Sequence, residues 1–323
     1  MLRGTLTNKI KGTSKDAPNT RVGTVLSPNL VDHLLAPRLC NHGSTIRKLA
    51  LVAPRLAHIP AFSNRVANTH RCRDMIRKVQ TLRGGVYLHD GAITANHLRD
   101  GRHDVDLDWR SWHILIQDEH SQVLGCARYT PFSSARKFSD LTVSKSSLAQ
   151  CPKWGSKLEA AVESEMDLAR RKNVPYVELG GWALADSIRG TGEALRMVLA
   201  IYGLAQVLGG VVGITTATKR HSSASILRRI GGFSLENGGL ELPPYFDDQY
   251  SCEMEVLRFH SWAPNPRYLQ GIERIKGQLR TMPVLTFDRC KTISTPSLPA
   301  HRNSTKLAHL NLRIRTFDEA HGN

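Results

Sequence analysis

Arg189-Gly190-Thr191-Gly192-Glu193-Ala194 stands between a strand-like run, Tyr176 to Leu184, and an apolar stretch from Gly190 to Leu208 that reads as a long helix. Gly209 to Thr216 follows as a second strand, which makes the segment a strand, helix, strand crossover with a glycine-bearing turn at the helix entrance. Small residues there let backbone N–H groups approach an anion. The unpaired amides and the positive end of the helix dipole favour phosphate oxygens, by ~0.3–1 kcal/mol for each exposed charge. The GxGxxG order of dinucleotide-binding folds is absent and no Gly-Lys-Ser/Thr follows, so two nucleotide-binding folds are excluded.

Working outward, Trp112 to Gln117 alternates in polarity, and Asp118 to Ser121 leads into Gln122 to Tyr129, the signature of a hairpin. Trp154 to Lys172 places Leu158, Ala161, Val162, Met166 and Ala169 at helical spacing and stops at Asn173 and Pro175. Downstream, the pattern predicts a short helix over Ser222 to Ile230, strands at Phe233 to Leu235 and Cys252 to Phe259, and a helix over Arg267 to Leu279. Upstream, Val86 to Leu88 reads as a short strand and Ala92 to Leu98 as a helix. Together these elements predict a mixed α/β fold.

The chain has 323 residues, with 44 Lys and Arg against 28 Asp and Glu, a formal charge of +16. That basicity lies mostly at the ends: residues 1–73 carry 12 basic and two acidic side chains, residues 74–280 carry 26 and 23, and residues 281–323 carry six and three. Such a distribution predicts a nearly neutral core with basic tails, and nucleic acid is not expected as a partner of that core. The expected organisation is a disordered basic extension over 1–74, a folded domain over 75–262, a C-terminal helix over 263–280 and a disordered tail over 281–323. The acid-poor N-terminus admits an organelle-targeting reading, and a native start at Met75 is an alternative. No window approaches the ~20 apolar residues of a membrane span. The six cysteines are never closer than 25 residues and no His-x-x-x-His or HExxH spacing occurs, so reduced thiols, a cytoplasmic location and no metal are expected.

The turn resembles the Q/R-x-x-G-x-G/A acyl-CoA motif of the GNAT acyltransferase superfamily, with Arg189 first, Gly192 fourth and Ala194 sixth. Ala224 to Phe233 is similar to that family's closing helix and Gly-Phe turn, with one extra glycine. The upstream half, with Asp106, Asp108, Trp112 to Gln117, Val123 to Gly125 and Arg128, resembles acyl-homoserine-lactone synthases and N-acyl amino acid synthases. Glu178-Leu179-Gly180-Gly181 is similar to their Glu-x-Ser-Arg element but lacks its Arg.

The resemblance implies a GNAT-like mixed central sheet with flanking helices and a strand pair that splays apart at the cofactor site. It implies an N-acyltransferase moving an acyl group from acyl-CoA or an acyl-carrier-protein thioester to an amine acceptor, an amino acid among the candidates, with no permanently bound cofactor. Leu184, Arg189, Gly190, Thr191, Gly192, Glu193 and Ala194 would hold the thioester, and a backbone amide at Leu184 would steady the oxyanion. Glu178 would take the acceptor's proton; its other reading is a carboxylate that pairs with a cation or caps the sheet edge. Leu227 stands where many acetyltransferases carry a Tyr acid, and His221 where an Asn often contacts cofactor. The rival to catalysis is a GNAT-fold binding module whose basic tails contact nucleic acid or an acidic partner. Trp112 and Trp182 are candidates for an acyl pocket or for ordinary core. Lys219, Arg220, Arg228 and Arg229 are candidates for a phosphate or carrier-protein contact or for solvated surface, and Tyr245 and Tyr250 for loop contacts to substrate.

Overall fold

The computed structural model describes residues 46–55, 61–132 and 136–288. Among these, ten strands form one mixed sheet in the order β10-β11-β6-β5-β4-β3-β1-β12-β2, with β7 beside β11. The strands are β1 (Lys48–Val52), β2 (Arg65–Ala67), β3 (Trp112–Gln117), β4 (Val123–Phe132), β5 (Tyr176–Leu184), β6 (Val212–Thr218), β7 (Phe233–Ser234), β10 (Tyr245–Asp247), β11 (Cys252–His260) and β12 (Val284–Thr286). A separate hairpin pairs β8 (Glu236–Asn237) with β9 (Leu240–Glu241). The helices are α1 (Thr69–His89), α2 (Gly155–Lys172), α3 (Glu193–Val207), α4 (Ser223–Ile230) and α5 (Leu269–Thr281).

Side-chain alternation divides the core between the two faces of this sheet. Ile114, Ile116, Leu257 and Phe259 point to the face covered by α3 and α5. The alternate positions point the other way: Leu115 packs with Cys72, Ile76 and Val79 of α1, while Met254 and Val256 pack with Leu158 and Val162 of α2. Helix α3 is buried from Met197 to Ala205 because it lies between sheet and α5. Its Gly203 lets α5 approach so closely that a Cβ there would sit 3.3 Å from the Lys276 backbone nitrogen.

The hairpin, the long helices and the crossover fall where expected, but the folded unit starts earlier and ends later. β1 lies between β3 and β12, and β12 between β1 and β2, so segments assigned to the extension and the tail are sheet strands. β1 is covered on both faces, which removes the alternation that marks a half-exposed strand. Of the residues in those two expectations, 1–45, 56–60 and 289–323 lie outside the described residues. Val86 to Leu88 is the end of α1, not a strand. Gly84 and Gly85 break the sequence pattern, yet Gly84 is helical and packs so closely on the 101–103 loop that a Cβ would lie 3.0 Å from the Gly101 carbonyl oxygen. The helix expected over Ala92 to Leu98 is one 3-10 turn, Ala95–His97. Among the described residues no helix is long and apolar enough to cross a membrane.

Candidate functional site

β5 and β6 pair in parallel from Tyr176↔Val212 to Leu179↔Thr215 and then part. Beyond that point β5 stays with β4 and β6 stays with β11, so the inward edge of Gly180 to Leu184 faces a gap. Gly181 and Trp182 form a bulge against β4, with Gly181 at φ +61°, which turns this edge out of regular register. The gap opens a cleft of about 600 Å³ whose wall includes α1, β4, β5, β6, α4 and the turn before α3.

The 189–194 turn stands at the mouth of this cleft. Arg189, Gly190, Thr191 and Ala194 line it, whereas Gly192 and Glu193 do not. Gly190 takes φ +70° with open space around its Cα, a conformation that glycine adopts without the Cβ penalty. Thr191 braces the turn: its hydroxyl donates to the Ile188 carbonyl (2.7 Å) and accepts from the Glu193 amide (3.2 Å). The amides of Gly190, Thr191 and Gly192 have no acceptor among the described residues. Arg189 does not project into the cleft as a free cation. Its guanidinium forks onto Asp90 at 3.0 and 2.9 Å, and its Nε donates to the Leu184 carbonyl (3.2 Å). The Glu193 carboxylate faces Arg47 and Arg196.

A bulged strand that splays from its parallel neighbour beside a glycine turn and helix N-terminus is the arrangement that the resemblance to the GNAT acyltransferases implies. No protein-family model and no curated protein matches the chain. Similar solved structures include a CoA-dependent acyl-homoserine lactone synthase, BjaI, solved with SAM and isopentyl-CoA. It is 14% identical, covering 74% of this chain and 93% of that one with a TM-score of 0.44. The acyl-homoserine lactone synthase LasI is 14% identical over 68% and 91%, at 0.41. FeeM, an N-acyl amino acid synthase from uncultured soil microbes, is 8% identical over 68% and 92%, at 0.39.

Deeper in the cleft, Glu178 and Arg128 share the face of the sheet that carries α1 and α2, since Val177, Ala127 and Tyr129 point to the other. Glu178 is buried and accepts the Thr142 amide (2.8 Å) and the Val143 amide (2.9 Å), while still lining the cleft. Burial outweighs these hydrogen bonds and the nearby Arg128 charge, so its pKa is raised above the usual carboxylate value. Arg128 donates to Asp108 (3.3 Å), and its Nε is buried without a partner. Asp108 is held in turn by Arg83, at 3.0 and 2.7 Å, and by Gln80 at 3.1 Å. Burial would push the Asp108 pKa up, but the hydrogen bonds and charge of Arg83, with His113 and Arg128, bring it down to about 2.

The remaining candidates divide. Trp182 lines the cleft and its indole Nε1 is buried without a partner, whereas Trp112 is core, packed 5.4 Å from Phe62. Arg220 and His221 reach the cleft; Lys219 pairs with Glu253 and Arg228 with Glu255. Leu227 forms part of the wall. Tyr245 is buried in β10, and Tyr250 lines the cleft edge-on to Tyr87 at 6.3 Å. Three participants escape the sequence reading: Tyr87, Asp90 and Arg83, all on α1 or its C-cap. Their signal was available, since Cys72, Met75, Ile76 and Val79 keep helical spacing, but the charged residues between them disguise it.

Proposed function

We propose that the protein is an N-acyltransferase that moves an acyl group from a phosphopantetheine thioester, acyl-CoA or acyl-carrier protein, to an amine acceptor. The observation that carries this reading is the conjunction of unpaired amides at Gly190 and Thr191 with the open edge of β5 on one cleft. A diphosphate at the turn would direct the thioester along that edge toward Glu178. A strand amide, at Leu184 or beside it past the bulge, would donate to the developing oxyanion; such a donor contributes ~3 to 4 kcal/mol in other acyl-transfer sites.

An alkylammonium with a pKa near ~10.4 must lose its proton before attack, which is about 4.6 kcal/mol uphill at pH 7. Glu178, with its raised pKa, accepts that proton better than an ordinary surface carboxylate would. Arg128 sits on the same sheet face with an unpartnered Nε, which suits the carboxylate of an amino-acid acceptor whose ammonium faces Glu178. Leu227 offers no acid for the departing thiolate. Tyr250 has its pKa raised by burial and by Asp247, so it keeps its proton, and it lines the cleft where its hydroxyl can hydrogen-bond the departing thiolate.

The test is mass-spectrometric screening of full-length protein with acyl-CoA and acyl-carrier-protein thioesters of several chain lengths against a set of amino acids. Formation of an N-acyl product is expected, and the absence of both product and thioester binding would refute the reading.

A further inference from the structure

Asp90 follows α1 directly, and its amide donates to the Val86 carbonyl (2.9 Å), so the helix end fixes its position. From there it reaches two segments that line the cleft, the 189–194 turn and the 220–221 loop. Its carboxylate receives the Arg189 fork and lies 3.6 Å from His221 Nε2, while its carbonyl accepts Arg220 Nη2 at 2.7 Å. The side chain is only 12% exposed. Burial alone would raise its pKa, but the Arg189 hydrogen bonds and charge, with His221 and His89, hold it below the usual value.

A carboxylate beside a set of free amides looks misplaced, because it would repel the anion those amides suit. The pairing with Arg189 removes the conflict and gives Asp90 a geometric task. Arg189 is pinned between Asp90 and the Leu184 carbonyl, and the next residue is Gly190 at φ +70°. The turn is therefore anchored at its entrance by this fork, at its middle by Thr191 and at its exit by α3. We infer that Asp90 is a positioning residue for the thioester donor, acting through Arg189 to hold the free amides of Gly190 and Thr191 in place at the cleft. This rests on the acyltransferase reading above.

The test uses full-length Asp90→Asn, Asp90→Glu and Arg189→Gln, each checked by circular dichroism and thermal unfolding. Coenzyme A binding is followed by calorimetry and the donor and acceptor kinetics by product formation. Asn in place of Asp90 should raise the Kd for coenzyme A and the donor KM about tenfold, as loss of a bidentate charged pair predicts, with kcat and acceptor KM changing less. Glu should recover part of that loss. Arg189→Gln should reproduce it without touching the α1 cap, which covers the case of a poorly folding Asp90 variant, and the double variant should be no worse than Arg189→Gln alone. Folded variants that bind coenzyme A like the wild type, even with a lower unfolding temperature, would reduce Asp90 to a structural clasp and overturn the inference. Wild-type protein that binds no thioester or coenzyme A would instead remove the acyltransferase reading, and this inference with it.

Discussion

Arg83 and Gly181 interlock: a Cβ added to Gly181 would lie 3.1 Å from Arg83 Nη1. The strand residue that lacks a side chain thus leaves room for a guanidinium delivered by a helix almost a hundred residues earlier. Arg83 is 1% exposed and its partner Asp108 is fully buried, so the pair survives only while its geometry is kept. Gly181→Ala should destabilise the protein by roughly 2 kcal/mol or more, from the positive φ together with the displaced ion pair. Chemical denaturation of the two proteins measures this.

Glu178→Gln should lower kcat by ~10²-fold or more if the carboxylate is the base. The variant keeps acceptors for only one of the Thr142 and Val143 amides in the present geometry, so its fold must be checked alongside. In the wild type the rate should rise with pH through a group titrating above the ordinary carboxylate range. A pH–rate profile with no such limb, or a full-speed Gln variant, would take Glu178 out of the reaction.

Acidification should destabilise the protein before its ordinary surface carboxylates titrate. Burial lowers the His113 pKa from 6.5 to about 4, with the Asp108 charge only partly opposing it, and Nδ1 has no partner to receive a proton. Between those values the unfolded chain binds the proton and the folded one does not. The stabilisation is therefore complete above pH 6.5 and is lost as the pH falls toward about 4, to the extent of roughly 3 kcal/mol. Unfolding midpoints taken across that window should slope upward with pH, and the slope should flatten in His113→Gln.

Residues 75–280 alone should not form a stable domain. That fragment lacks β1, β2 and β12 and the start of α1, leaving the edge of β3 and the faces that meet Leu51, Val52, Val284 and Leu285 uncovered. Expressed beside a chain of residues 46–288, the shorter piece should be insoluble or bind hydrophobic dye, and the longer one should unfold cooperatively.

The crossover at 176–216 was legible because each signal there is local: a strand, a glycine turn, an apolar helix and a second strand follow one another. The hairpin at 112–129 was legible for the same reason, through strict alternation. β1 and β12 were not, since strands of five and three residues gain their character only from partners more than 60 residues away. The site divides along the same line. Glu178 and the 189–194 turn announce themselves by order along the chain, whereas Asp90 and Tyr87 reach the cleft, and Arg83 reaches Asp108, only because α1 packs across β4 and β5.

On the proposed reading of the turn as an anion site, the close approach of α5 at Gly203 has a kinetic meaning. Helix α3 is wedged between the sheet and α5, so its first turn is the tip of a fixed post. A ligand arriving there finds donors already oriented and need not pay to order them, leaving more of the interaction for residence time. Enlarging residue 203 would prise the post from its support and shorten that residence, although the residue is more than two helical turns from the bound group.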